Sequence, residues 1–156
     1  MTKDEFAVRV DAIRVKLFRT ALIYMGNETQ AADVLDEAVY KALCKHKSLR
    51  QEQYFDTWIT RIVIHECYNE LRRQKRVLLM DSLPENAAET FDALPLKEAI
   101  RCLPKELKDV VILRFFSGYN LSETADILQI PVGTVSTRQR KALQLLRLEL
   151  EEEVPG

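Results

Sequence analysis

The chain has 156 residues, a formal charge of −1 and 47% hydrophobic residues, with only four glycines and five prolines. That length supports one moderate hydrophobic core or two small ones, and the near-neutral charge excludes a histone-like polycation, so any nucleic-acid affinity has to come from local patches. No apolar run approaches the roughly 20 residues of a bilayer span, and the first residues, MTKDEFAVRVD, carry acids where a signal peptide has an apolar segment. The expectation is a cytoplasmic protein that is not itself a membrane protein. Its three cysteines, Cys44, Cys67 and Cys102, are odd in number and widely spaced, which argues against disulfides and structural zinc and for ordinary core thiols. Cys67 and His65, two residues apart, fall on different faces of a helix, so neither a metal site nor a cofactor is expected.

In chain order, Phe6, Val10, Ile13, Leu17, Ala21 and Tyr24 form one helical stripe that stops at Gly26, a typical glycine just past a helix end. Asn27 with Gln30 three residues on resembles a capping box and opens a second helix, carrying Ala31, Leu35, Ala38, Val39 and Leu43. A polar stretch from His46 to Gln53 separates it from a long third helix, in which Phe55, Ile59, Ile62, Cys67 and Leu71 recur and Trp58 is expected to pack in the core. A basic cluster, Arg72, Arg73, Lys75 and Arg76, follows. From Val77 to Leu96 the pattern breaks: two prolines and four acids, with no base, fit a linker. The predicted organisation is therefore a helical domain at 1–76, an acidic linker at 77–94 and a second helical domain at 95–156. Pro95 opens a short helix to Cys102, and Pro104 opens another through Phe116 that Gly118 ends; both prolines suit a first helical turn. No stretch alternates with period two, so the fold class is all-α. The acid-rich residues 149–153 are expected to fray.

The segment from Leu121 to Arg147 carries the strongest functional signal. It reads as two helices meeting at a tight turn, with Ser122 as the expected N-cap of the first, Ala125 and Leu128 on one face, and Pro131 and Gly133 breaking the chain. On the second helix Val135, Ala142 and Leu146 share a face with Leu143 beside them. Ser136, Thr137, Arg140, Lys141 and Gln144 point away, with Arg138 on the flank. From Val132 to Arg147 there are four basic residues and no acid. A merely solvated helix face interleaves both signs, so this one is suited to duplex DNA. A repressor or activator with a helical dimerisation domain shares the signal. No nucleophile–base pair, metal set or phosphate loop appears, and an enzyme is not expected.

Four segments, AADVLDEAVYKAL, FDTWITRIVIHECYNELRRQKR, LPKELKDVVILRFFSGYNLSETADIL and IPVGTVSTRQRKAL, together resemble a bacterial extracytoplasmic-function sigma factor of the sigma-70 superfamily. Their order and spacing are more specific than any one of them, and they span nearly the whole chain. The resemblance implies two all-helical domains, sigma regions 2 and 4, and a transcription initiation factor that binds core RNA polymerase. Such a factor reads the minus-thirty-five promoter element as duplex and the minus-ten element as melted strand. Asp33 and Glu37 match acidic polymerase-docking positions, and Asp36 stands beside them where Gln is usual. Leu49, Arg50, His65 and Asn69 match the pocket that captures unpaired minus-ten bases; His65 replaces the usual Asn and Asn69 a common Asp. Arg72, Arg73 and Arg76 suit phosphate contacts, which position without specifying. Ser136, Thr137, Arg138, Arg140 and Lys141 fall at the minus-thirty-five element, Ser136 where Lys or Arg is frequent. By the same resemblance the linker threads toward the polymerase active-centre cleft, and the partners are core RNA polymerase, promoter DNA and an anti-sigma factor of a kind that can be membrane-anchored.

Overall fold

Helix-capping chemistry sets the first element: the Glu5 N–H donates to the Thr2 hydroxyl at 3.1 Å and starts α1, Lys3–Met25. Gly26, at φ 72°, ends it in the left-handed conformation, with its N–H on the Leu22 carbonyl at 2.8 Å. The Asn27 side chain then accepts the Gln30 N–H at 2.9 Å and opens α2, Glu28–Cys44. The computed structural model of the protein describes residues 1–81 and 95–153, and every regular element among them is helical. The chain divides into two units, Met1–Thr90 and Phe91–Gly156.

In the first unit α1, α2 and α3, Phe55–Asp81, pack on one another. Leu17, Ala21, Ala31, Ala38, Ile59, Val63 and Cys67 lose all contact with solvent. Alanine at the meeting faces of α1 and α2 lets the two backbones approach closely. The inner stripe of α3 is Phe55, Ile59, Val63 and Cys67, at strict four-residue spacing, so Val63 takes the place expected for Ile62, which is half-buried. On α2, likewise, Val34 and Ala42 are buried whereas Val39 and Leu43 are half-buried. Trp58 is also half-buried, its ring 5.8 Å from that of Phe55, and lies at the margin of the core instead of within it. Cys44 and Cys102, expected as core thiols, are exposed; only Cys67 is buried. Cys44 closes α2, on the helix's outward face. The third helix runs on through Val77–Asp81, past the start expected for the linker, because no glycine or proline interrupts it there. The rest of the expected linker, 82–94, lies outside the described residues.

The second unit contains α4, Pro95–Arg101; α5, Lys105–Val111; α6, Leu121–Leu128; and α7, Val132–Glu153. The Pro104 carbonyl accepts the Leu107 and Lys108 N–H groups at 3.0 and 2.9 Å, which seats proline at the start of α5. The helix expected to reach Phe116 widens after Val111 into a π turn, Ile112–Phe116, closed by the Ser117 N–H on the Ile112 carbonyl at 2.9 Å. Gly118 follows at φ 84°, where a side chain would be strained. Ile100, Leu107, Val110, Ile112, Leu113, Ile127, Val135 and Ala142 form the core of this unit. The α7 backbone stays helical to Glu153, through the acidic tail expected to fray. No helix among the described residues is long and apolar enough to cross a membrane.

Candidate functional site

The helix pair α6 and α7 begins with a complete capping box. Asn120 Oδ1 accepts the Glu123 N–H at 2.7 Å, and Glu123 Oε1 accepts the Asn120 N–H at 2.9 Å. The N-cap is thus Asn120; Ser122, expected in that role, is exposed inside the first turn. Asn120→Ala should lower stability by about 1 kcal/mol, seen as an earlier urea midpoint for the second unit; an unchanged midpoint would show the box to be idle. At the other end Gln129 adopts φ 59°, and the Ile130 N–H reaches the Ala125 carbonyl at 3.1 Å. Pro131 then accepts the Thr134 and Val135 N–H groups at 3.0 and 3.2 Å. The break therefore lies at Gln129–Pro131, and Gly133 sits inside the first turn of α7, where a Cβ would meet nothing within 4 Å.

Val135 packs with Val110 and Ala125, flanked by Leu121, Leu128 and Ile130, and this cluster fixes the rotation of α7. Thr137, Arg140 and Lys141 then face solvent, while Ser136 and Arg138 are half-buried. Arg138 turns back toward α5, with Nη2 3.9 Å from a Glu106 carboxylate oxygen. Sequence reasoning missed Arg114. Its Nε donates to Gln139 Oε1 at 2.8 Å and its Nη1 to the Tyr119 carbonyl at 2.9 Å, so one guanidinium ties the π turn and the approach to α6 to the side of α7. A single arginine within the apolar run VVILRFF was the available signal.

On α3, His65, Asn69, Arg72 and Arg76 recur at helical spacing and share one stripe. His65 is exposed, opposite the buried Cys67. Arg72 donates to Asn69 Oδ1 at 2.5 Å, which leaves the Asn69 amino group as its outward donor. Arg73 departs from this group. Its Nε and Nη2 donate to Glu70 at 2.9 and 2.6 Å, and it lines a groove of about 360 Å³ between α2 and α3 with Asp33, Glu37, Glu66 and Glu70. The Arg73 guanidinium holds the Glu70 carboxyl below its usual range. The bridge therefore stabilises the unit above the unfolded carboxyl range, and that stability is lost as pH falls through the lowered value. Leu49 and Arg50 lie between two short 3₁₀ turns, His46–Ser48 and Glu52–Tyr54; Leu49 is half-buried and Arg50 exposed.

Asp33, Asp36 and Glu37 are all exposed on the outward face of α2, but they look two ways. Asp33 and Glu37 border the α3 groove, and Asp36 borders a shallow depression against α1 with Arg14, Val15 and Phe18. Tyr40, 63% exposed, continues the same face and was not singled out from sequence. Behind that face Lys41 Nζ lies 2.8 Å from both oxygens of the buried Glu66, pinning α2 to α3.

Comparison with known proteins matches residues 10–77 to the family model Sigma-70 region 2 and residues 99–148 to Sigma-70, region 4. The chain is 32% identical over 141 residues to the RNA polymerase sigma factor SigV of Bacillus subtilis, covering 87% of this chain and 85% of that one. It is 30% identical over 134 residues to the ECF RNA polymerase sigma-E factor of Escherichia coli, covering 73% and 70% of the two. Among solved structures it is similar in fold to the sigma factor RpoE from Bartonella quintana, solved with the anti-sigma factor NepR, with a TM-score of 0.77 at 20% identity over 96% of this chain and 98% of the other. CnrH, solved with the cytosolic domain of CnrY, gives a TM-score of 0.75 at 20% identity over 97% and 91% of the two chains.

Proposed function

Because the chain belongs to the extracytoplasmic-function sigma factors of the sigma-70 family, we propose that it directs core RNA polymerase to promoters through three separate helix faces. The exposed acids Asp33, Asp36 and Glu37 of α2 dock on the polymerase. The α3 stripe, with the loop bearing Leu49 and Arg50, takes the melted minus-ten strand. The outward face of α7 enters the major groove at the minus-thirty-five element.

The observation that carries this reading is the division of labour on α7. Burial of Val135 and Ala142 leaves Thr137, Arg140 and Lys141 in solvent, on a helix face free of acids through Arg147. Ser136 and Arg138 flank that face and suit backbone contacts. On α3, Arg72 and Arg76 sit beyond His65 and Asn69 on one stripe, so phosphates of a strand whose base reaches His65 have cations next to them. Opening a base costs a few kcal/mol, and stacking and edge contacts in the pocket have to offset it. Arg73, bridged to Glu70, belongs to the docking groove in this reading and not to the phosphate set. The matched solved structures hold anti-sigma factors, which supports an anti-sigma partner here; likeness to RNA polymerase sigma factors supports action in the cytoplasm.

The test is transcription by core polymerase and this chain from a supercoiled plasmid library randomised at both elements. Arg140→Ala should alter preference at minus-thirty-five positions, by about 10- to 100-fold at the base it reads. Arg138→Ala should weaken all promoters alike. His65→Asn should shift the minus-ten consensus, since an amide offers donor and acceptor together whereas an imidazole separates them on opposite ring edges. Wild-type profiles and yields from all three variants would remove α7 and His65 as readers.

A further inference from the structure

The loop that carries Leu49 and Arg50 is fastened at its base by α1, a helix with no part in the function described above. Phe6 packs edge-on against Phe55, with ring centroids 5.8 Å apart and planes at 82°, and tilts against His46 at 6.0 Å. Those two rings bracket the loop, one before it and one after it. One turn along α1, Arg9 Nη1 donates to the Glu52 backbone carbonyl at 3.0 Å and Nη2 to Glu52 Oε1 at 3.0 Å. The same guanidinium lies 5.9 Å from the centre of the Phe55 ring. The Arg9 guanidinium thus holds the loop by its main chain, its side chain and the aromatic residue at its end, and the Met1 ammonium stands 3.7 Å from the other Glu52 carboxylate oxygen.

Stability does not account for the Arg9–Glu52 pair. The Arg9 and Glu52 side chains are 39% and 43% exposed, and ion pairs so open to water contribute little to folding. What the contacts do fix is position. Leu49 and Gln51 have extended backbone on either side of Arg50, between two short 3₁₀ turns, and nothing about an extended triplet specifies its own geometry.

We propose that Arg9 and Glu52 are positioning residues that hold the Leu49–Gln51 segment ready for an unpaired promoter base. The proposal rests on the assignment of this loop to the minus-ten strand. Preordering matters because fixing the backbone of even one residue at the moment of capture lowers the equilibrium by about tenfold. Arg9 could also act simply as a DNA-attracting charge, and the paired glutamate distinguishes the two. As charges near a phosphate backbone, Arg9 and Glu52 have opposite effects; as halves of a clamp, they have the same effect.

The experiment uses holoenzyme assembled from core polymerase and the full chain, on a promoter selected from the randomised library by the wild type. It compares Arg9→Ala, Glu52→Ala and the double variant. Arg9→Ala should lower open-complex formation by about tenfold, Glu52→Ala should lower it by less because the carbonyl and ring contacts of Arg9 remain, and the double variant should fall no further than Arg9→Ala, because coupled partners are not additive. Competition for core polymerase and the circular dichroism spectrum should stay as in the wild type. In the free chain, amide hydrogens of residues 49–53 should exchange faster in both single variants. A rise in open complexes for Glu52→Ala alongside a fall for Arg9→Ala would overturn the clamp and make Arg9 a DNA contact. Wild-type opening and exchange in both variants would overturn it outright. If the variants exchange faster but open the promoter normally, the clamp orders a loop that does not read the minus-ten strand, and the role proposed for it falls while the rest of the functional assignment stands.

Discussion

Reversing Asp33 and Glu37 to lysine together should abolish binding to core RNA polymerase, lowering affinity by at least about a hundredfold, while the three-helix unit stays folded. Both carboxylates are exposed on α2, so lysine there leaves no buried charge and disturbs no core contact. The change of four charge units falls on one surface, where charged groups desolvated across an interface are worth about 2–5 kcal/mol each. The neutral pair Asp33→Asn and Glu37→Gln should lose less, because it removes attraction without adding repulsion. Competition against the wild type for core polymerase measures the loss, and circular dichroism checks the fold. Unchanged affinity with helix content intact would move docking off this face, with the α1 side of α2 around Asp36 as the next surface to test.

Lys41→Met should destabilise the first unit by about 1–3 kcal/mol, the usual penalty for leaving a buried polar group without its partner. The asymmetry of the pair sets this size. Lys41 keeps 42% of its side chain in solvent, but Glu66 keeps only 10%, and both of its oxygens depend on the same ammonium at 2.8 Å. Replacing both groups, Lys41→Met with Glu66→Leu, should recover much of the loss, because an apolar pair of similar volume needs no counter-charge. The hydrogen bond to Glu66 raises the Lys41 pKa above its ordinary value. From neutral pH up to the unfolded lysine range its contribution is therefore complete, and it disappears as pH rises through the raised value, so wild type and Lys41→Met should converge only in strong alkali. Urea unfolding from neutral to alkaline pH measures this. A constant gap across that range would show that the methylene packing of Lys41, and not its charge, matters. Glu66 follows His65 directly, so loosening the pair also loosens the seat of the His65 stripe of α3 against α2.

Local chemistry was legible in the sequence because helix periodicity, glycine stops and side-chain caps act within a turn or two of the residues that carry them. The stripe from Phe6 to Tyr24, the end at Gly26, the opening at Asn27, the absence of strands among the described residues and the inward set Val135, Ala142 and Leu146 all follow from spacing that no distant contact has to complete. The resemblance in motif order extended the same reading to the family. Finer choices between neighbours were not local. Asn120 prevailed over Ser122 as N-cap because Glu123 sits at the right distance to close the box, and that signal was present but passed over. Ile62 and Val63 differ by one helical step, and only packing against two helices at once decides which goes inside. The same holds for the arginines of α3: their sequence cluster looks uniform, yet the acidic groove beside α2 draws Arg73 to Glu70 and leaves Arg72 and Arg76 on the His65 side. Arg114 on Gln139, Lys41 on Glu66 and Arg9 on Glu52 join residues 25, 25 and 43 positions apart. Sequence can show that such charged groups exist, but pairing over those separations requires the apolar stripes to have packed first, so only the tertiary structure decides which surfaces they hold in place.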